Sequence, residues 1–308
     1  MNKNWFAALT LFGATAASAA VVNVEFKFTP FLGNPAKQDH VQAVPGKARV
    51  FLNNALLAEQ IVNEGEVAVL FEAREIAASV WLPVASVGPA LRKGKNKIRI
   101  EFEPADNKIK YRAQLRWASV TDETTEQSAP GSGQSTNQTG EGVDDKPAQG
   151  KFTIEREFSA DFAKELPWHR YPPITSLSDA DKRALATLVK ARAEKFTPNF
   201  SGVYALLKPK PEINLEEVQK AKCLDQVYAA GVRIDAPTAD QLDITTTGNA
   251  EVLIRRKDGD LYRPADPKVM EKIKDPGIQD CAGMVLFFAF PPRMAVVRTP
   301  AGAWEVVY

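Results

Sequence analysis

Residues 121–150 read TDETTEQSAPGSGQSTNQTGEGVDDKPAQG, and this stretch separates two dissimilar halves of the chain. It contains no aromatic residue, and Val143 is its only aliphatic residue besides alanine. Six carboxylates against one lysine give the stretch a net charge of −5. Such a segment buries too little apolar surface to offset the entropy of ordering it. The sequence therefore predicts a flexible, disordered acidic linker between a domain over residues 20–120 and a domain over residues 151–308.

The N-terminus has the pattern of a cleavable secretory signal peptide. Lys3 precedes an apolar run over residues 5–17, and the small residues Ala17-Ser18-Ala19 suit a signal peptidase. The run is shorter than the roughly 20 residues that a membrane-spanning helix needs. We expect residues 1–19 to be removed and the mature protein, with no transmembrane segment, to be periplasmic or secreted.

Charge and cysteine content argue against several classes of protein. The chain has 39 Lys and Arg against 38 Asp and Glu, a balance unlike that of nucleic-acid-binding domains. Cys223 and Cys281 are its two cysteines, and an even pair in an oxidising compartment predicts a disulfide, with two buried thiols as the alternative. His40 and His169 are far from both cysteines, so no metal site is expected. The chain also lacks phosphate-binding and dinucleotide-binding fingerprints, so no cofactor is indicated.

The first half carries the period-two alternation of β-strands. Along its first predicted strand, apolar residues occupy every second position, at Val22, Val24, Phe26 and Phe28. The segments VFLNNALL at 50–57 and LRKGKNKIRI at 91–100 resemble jelly-roll and immunoglobulin-like accessory domains of exported bacterial proteins. The resemblance implies an all-β sandwich, and counterparts of the sugar-binding residues of those domains are not identifiable in this sequence.

A basic hairpin is predicted within this half. In the register that keeps the apolar residues on one face, Ile98 lies opposite Ala113 and Arg99 lies opposite Arg112. Like charges in opposite positions are destabilising unless solvent or an anion compensates them. With 14 basic against 10 acidic residues over 20–120, this face predicts a surface for an anionic envelope component or an acidic protein partner. The alternative is a solvated basic face. The candidate binding residues of the predicted surface are Lys95, Lys97, Arg99, Lys110, Arg112 and Arg116.

The second half combines helices with later strands. Ser178 followed by Asp181 predicts a helix start, and one face of that helix carries Leu185, Leu188, Val189, Arg192 and Phe196. Asn214 begins a second predicted helix that ends near Gly231. Strands are predicted at 242–246, 251–256, 284–290, 294–299 and 304–308. Helices followed by an antiparallel sheet resemble the cone-shaped α+β fold of nuclear transport factor 2 and its relatives.

Two features of the second half are candidates for binding. One is the cluster Trp168, His169, Arg170 and Tyr171, which combines aromatic with cationic groups; its alternative role is to anchor the connecting segment. The resemblance also implies an apolar pocket between helices and sheet. The residues available to line such a pocket, or to form a plain core instead, are Met284, Phe287, Phe288, Phe290, Trp304 and Tyr308.

No nucleophile or metalloprotease motif stands out, so no catalytic residue is assigned. The sequence favours an exported non-enzymatic binding or adaptor protein of the bacterial cell envelope. The alternative is a small-molecule-binding protein or an enzyme that uses a pocket in the C-terminal domain. Convergence on a pocket of His169, or of buried carboxylates such as Asp243 and Glu251, would favour the enzyme.

We expect the full-length chain, expressed in a bacterium, to accumulate in the periplasm or medium with Ala20 as its first residue. The reason is the position of the small residues Ala17 and Ala19 after the apolar run. N-terminal sequencing together with intact mass measures this directly. A protein that keeps Met1 would contradict the prediction, and replacing Ala17 and Ala19 by larger residues provides the uncleaved control.

Overall fold

The computed structural model of the chain describes residues 21–70, 75–82, 88–122, 136–161, 163–209 and 213–308. The predicted signal peptide and residues 123–135 of the predicted linker lie outside these ranges. Strands account for 38% of the residues and form several antiparallel sheets, and the helices lie mostly in the C-terminal half. A strand-rich first half and a mixed second half therefore agree with the sequence prediction.

The secondary structure alternates short turns with regular elements. The strands are β1 (Val21–Leu32), β2 (His40–Ala43), β3 (Gly46–Leu52), β4 (Ala55–Val62), β5 (Gly65–Ala68), β6 (Val80–Leu82), β7 (Gly94–Pro104), β8 (Lys110–Asp122), β9 (Thr136–Gln149), β10 (Phe152–Ala160), β11 (Ile234–Asp235), β12 (Leu242–Thr246), β13 (Glu251–Arg256), β14 (Arg263–Pro264), β15 (Arg293–Arg298) and β16 (Trp304–Val306). The α-helices are α1 (Asp179–Ala193), α2 (Ser201–Leu207), α3 (Leu215–Ala221), α4 (Cys223–Ala229) and α5 (Pro276–Ala289). Short 3-10 helices lie at Gly88–Ala90, Pro167–Arg170, Ala239–Gln241 and Pro267–Lys272.

Within the described ranges the strands form four sheets. One has the order β5-β2-β1-β8-β9, with β6 also paired to β1, and a second has the order β10-β7-β3-β4. A two-stranded sheet pairs β11 with β14, and the last sheet has the order β12-β13-β15-β16. Phe26 and Phe28 are buried in agreement with the predicted alternation along β1, although Thr29 is buried as well. The side chains of Val22 and Val24 lie outside the described part.

The chain divides into two compact units, and neither is continuous in sequence. Unit 1 comprises Met1–Lys47, Gln60–Ser86 and Glu103–Phe152. Unit 2 comprises Ala48–Glu59, Val87–Phe102 and Thr153–Tyr308, so it contains most of β3, β4, β7 and β10 together with α1–α5. The domain boundaries and the β-sandwich proposed from the sequence stay predictions.

The predicted hairpin of residues 98–102 with 111–117 is wrong. β7 lies in the sheet of β10 and β3, whereas β8 pairs with β1 on one side and β9 on the other. Arg112 lies opposite Phe31 and Pro147, so it does not face Arg99. The predicted register paired two strands because they are neighbours in sequence. The same apolar alternation suits pairing with distant strands equally well.

The second half of the predicted linker also differs from the prediction. Thr136–Gln149 forms β9, the outermost strand of its sheet. An edge position tolerates polar residues and proline, because only one side of the strand needs hydrogen-bond partners. The end of β9 is fixed by Tyr111, whose hydroxyl donates to the carbonyl of Gly150 at 2.8 Å. Gly150 has φ +64°, and a Cβ there would lie 2.9 Å from the carbonyl oxygen of Asn107.

The first predicted helix is confirmed, and the second is divided. Ser178 Oγ accepts from the Asp181 amide, and the Asp181 carboxylate accepts from the Ser178 amide, a reciprocal cap that begins α1. The second helix breaks at Lys222, whose φ of 52° ends α3 and begins α4. Gly231, with φ +104°, follows α4 as predicted for a C-cap.

The strand predicted at 284–290 is also wrong, because these residues belong to α5 apart from its C-cap Phe290. Asp275 accepts from the amides of Gly277 and Ile278, and Pro276 occupies the first helical position. A continuous apolar run fits a buried strand or a helix equally well, and only its caps distinguish them.

The core of the C-terminal part packs α1, α2 and α5 on the sheet of β13 and β15. Leu185, Val189, Val203 and Val285 are fully buried in it. Cys223 of α4 and Cys281 of α5 form a disulfide, which confirms the predicted pair. In the ranges that the structure describes, no helix has the length and apolar character needed to cross a membrane.

Replacing both cysteines by alanine should lower the free energy of unfolding by about 4 kcal/mol, the chain-entropy value for a cross-link between residues 58 apart. Urea denaturation of the wild type and of Cys223→Ala/Cys281→Ala measures the difference. Wild-type protein in reductant is the control and should unfold near the midpoint of the double variant. Equal midpoints for the oxidised wild type and the double variant would contradict the prediction.

Candidate functional site

A cavity of about 490 Å³ lies within unit 2, between α1, α2, α5 and the end of the chain. Its apolar wall includes Leu188 of α1, Leu206 of α2 and Phe287 of α5. Cavities of this size, mostly apolar with a few polar groups, are typical of small-molecule sites. The cavity is therefore the candidate binding site of the protein.

Two close contacts hold the helices around this cavity. α2 meets the end of α1 at Gly202, where a Cβ would lie 2.9 Å from the Cβ of Lys195. α1 meets the end of α5 through Arg192, whose Nε donates to the carbonyl of Ala289 at 2.7 Å. A guanidinium at a helix C-terminus also interacts favourably with the helix dipole. Gly202 and Arg192 thus set the spacing of the three helices.

Two cations line the cavity. Arg192 is half-buried and Lys195 is exposed, and both belong to the wall formed by the end of α1. Among the described residues, neither side chain forms an ion pair with a carboxylate. Burial lowers the pKa of Arg192 from its ordinary value. An apolar cavity with a cationic side suits a ligand that has both apolar and anionic parts.

The aromatic residues predicted for a pocket fall into two groups. Phe287, Phe288 and Tyr308 line the 490 Å³ cavity. Phe287, which is 58% exposed, and buried Phe290 line a second cavity of about 400 Å³. Neither cavity is lined by the other two predicted residues, Met284 and Trp304.

Glu251 of β13 is a buried carboxylate, 3% exposed, and Arg92 neutralises it. Both Glu251 oxygens accept from Nη2 of Arg92 at 2.7 Å, and Nη1 of Arg92 donates to the carbonyl of His169 at 3.2 Å. Burial raises the pKa of Tyr308, and the Glu251 charge raises it further. The Tyr308 hydroxyl is buried and has no hydrogen-bond partner within the described part of the chain. Tyr308 also belongs to the wall of the 490 Å³ cavity.

The Trp168–Tyr171 cluster is held by the backbone around it. His169 Nδ1 accepts from the Leu166 amide at 3.3 Å, which leaves Nε2 to donate to the carbonyl of Pro89 at 3.0 Å. Arg170 pairs with Glu165 at 2.7 Å. Trp168 packs edge-on against the His169 ring, with 5.8 Å between ring centroids, and Tyr171 is half-buried. This geometry favours the anchoring role over the recognition role.

His169 does not converge with the carboxylates considered for catalysis. Both of its ring nitrogens are bonded to the backbone, and Asp243 pairs with Arg255 at 2.6 Å. Asp243 lines a separate cavity of about 420 Å³, which neither His169 nor Glu251 lines, and none of the three residues lines the 490 Å³ cavity.

The residues of the predicted basic face lie in two different sheets. Lys95, Lys97 and Arg99 belong to β7, and Lys110, Arg112 and Arg116 belong to β8. Four of the six are ion-paired: Lys97 with Glu155, Arg99 with Glu101, Arg112 with Asp145 and Arg116 with Glu75. Only Lys95 and Lys110 are exposed without a recorded carboxylate partner in the described ranges. The hairpin that would have placed these six residues side by side is therefore not formed.

Sequence reasoning missed Arg192 and Lys195 as site residues, although a signal was present. Arg192 falls on the apolar face of α1 together with Leu188 and Val189. A charged residue on an apolar helix face requires a partner or a ligand when it is buried. Lys195 lies in the turn after α1, and no helical pattern could place it.

No protein-family model matches this chain, and no significant similarity to a curated protein or a solved structure was found.

Replacing Glu251 by methionine should lower the free energy of unfolding by about 3–5 kcal/mol, because it leaves the Arg92 guanidinium unpaired in a largely buried position. Arg92→Met/Glu251→Met should recover much of that loss, since two apolar side chains replace the pair. Chemical denaturation of both single variants and the double variant measures the coupling. Glu194→Gln, which breaks the exposed pair with Lys190, is the control and should cost less than about 1 kcal/mol. Additive single effects would contradict the assigned role.

Proposed function

We propose that the protein is an exported, non-enzymatic binding protein that holds a small, largely apolar molecule in the 490 Å³ cavity of unit 2. The observation that carries the proposal is the cavity itself, whose wall is mostly apolar and whose volume suits a small organic ligand. Its place between three helices and the end of the chain gives a ligand contacts on several sides.

Binding is favoured over catalysis by the state of the titratable groups. The ring nitrogens of His169 are engaged by backbone groups, and Glu251 is neutralised by Arg92. General acid–base catalysis needs a titratable group within reach of the ligand. The groups at the cavity are a guanidinium, an ammonium and a phenol whose pKa is raised by burial.

The proposed location is the periplasm or the cell exterior. The disulfide between Cys223 and Cys281 supports it, because such bonds persist in oxidising compartments. The signal-peptide pattern of residues 1–19 supports it from the sequence. Contact with an envelope component or with an acidic protein stays a hypothesis.

The mature chain should bind N-phenyl-1-naphthylamine, an uncharged apolar probe, and Ala191→Trp should weaken that binding at least tenfold. A tryptophan at position 191 would occupy the cavity that the small alanine leaves open. Probe fluorescence, excited outside the absorption of tryptophan, measures the affinity.

Ala184→Trp is the matched control, since Ala184 is exposed on the same helix two turns away and does not line the cavity. It should bind the probe as the wild type does. Equal binding by the wild type and Ala191→Trp, or no binding by the wild type, would overturn the proposed function.

A further inference from the structure

We propose that the ligand of this cavity is a single-chain amphiphile with a carboxylate head, held by Arg192 with Lys195 as a second cation. The inference rests on the proposed function and names the class of ligand. Three features support it: the apolar wall of the cavity, the terminal nitrogens Nη1 and Nη2 of Arg192, and the position of Lys195.

The cavity wall separates into an apolar part and a cationic part. Leu206, Phe287 and Phe288 supply apolar surface from α2 and α5, and no aspartate or glutamate belongs to the wall. The two cations come from the last turn of α1 and from the turn that follows it. An apolar chain can therefore lie against α2 and α5 while a charged head reaches α1.

The side chain of Arg192 is held in place by one hydrogen bond, and its terminal nitrogens are left for a ligand. Its Nε donates to the Ala289 carbonyl, which holds the guanidinium plane at the end of α5. Within the described part of the chain, Nη1 and Nη2 of Arg192 donate no hydrogen bond. A guanidinium presents its nitrogens in a planar fork that matches the two oxygens of a carboxylate. A carboxylate on these atoms would compensate a charge that burial in apolar surroundings disfavours.

Lys195 adds a second positive charge on the same side of the cavity. It is exposed, and its backbone packs against Gly202 where α2 begins. A flexible ammonium at an exposed position attracts the anion and contributes less to its affinity than a partly buried guanidinium does. Both cations disfavour a cationic head group, which gives the site selectivity by charge.

Displacement of N-phenyl-1-naphthylamine by decanoate, decan-1-ol and decyltrimethylammonium tests the proposal on the mature chain. We expect decanoate to displace the probe at a concentration about tenfold or more below that of decan-1-ol, the usual range for a charge-assisted hydrogen bond. Decyltrimethylammonium should be the weakest of the three. Arg192→Gln should abolish the advantage of decanoate over decan-1-ol while the uncharged probe still binds.

Lys190→Gln is the matched control, because it removes one cation from the same helix at a position that does not line this cavity. It should keep the preference for decanoate, and Arg192→Lys should keep part of it. Equal displacement by decanoate and decan-1-ol with normal probe binding would overturn the inference and leave the proposed function standing. Absence of probe binding in the wild type would overturn both. Probe binding by Arg192→Gln shows that the cavity of the variant is intact.

Discussion

The ion pair between Arg92 and Glu251 is the constraint on which unit 2 depends. A carboxylate inside a sheet is costly unless a cation accompanies it, and Glu251 receives its cation from a residue 159 positions earlier in the chain. A second link of the same kind joins Asn249 Nδ2 to the carbonyl of Asn53 at 2.9 Å. These contacts explain why segments from the first half of the sequence belong to the same compact unit as the C-terminal helices.

The features that sequence could predict were local ones. The Ser178–Asp181 cap, the Gly231 C-cap and the strands over 242–246 and 251–256 depend on residues a few positions apart, and the structure contains them. Pairing between distant strands follows no such short-range rule. The alternation around Ile98 and Ala113 is compatible with a hairpin, yet the two strands belong to different sheets. Periodicity fixes which side of a strand is apolar and leaves its neighbour undetermined.

The sequence predicted some of the aromatic residues that line the candidate site, but it did not predict the element that carries them. The aromatic residues near Phe287 indicated a pocket, but they were expected on a strand and lie on α5, whose cap at Asp275 was overlooked. Arg192 lies on the apolar face of α1, but its role at the cavity depends on the contact with the end of α5, almost a hundred residues away in sequence. β9 shows the opposite error: a composition typical of disorder forms an edge strand when a partner strand is available.

Because of the disulfide, the rigidity of the cavity wall depends on whether the chain folds in an oxidising compartment. Cys281 ties α5 to α4, and α5 supplies Phe287 and Phe288 to the cavity wall. A chain that is still reduced lacks this tie, so α5 is held at the cavity without a covalent bond, by packing and by the hydrogen bond from Arg192 to the Ala289 carbonyl. For the exported binding protein proposed above, the disulfide would form only after export, and α5 would gain its covalent tie to α4 in the oxidising compartment.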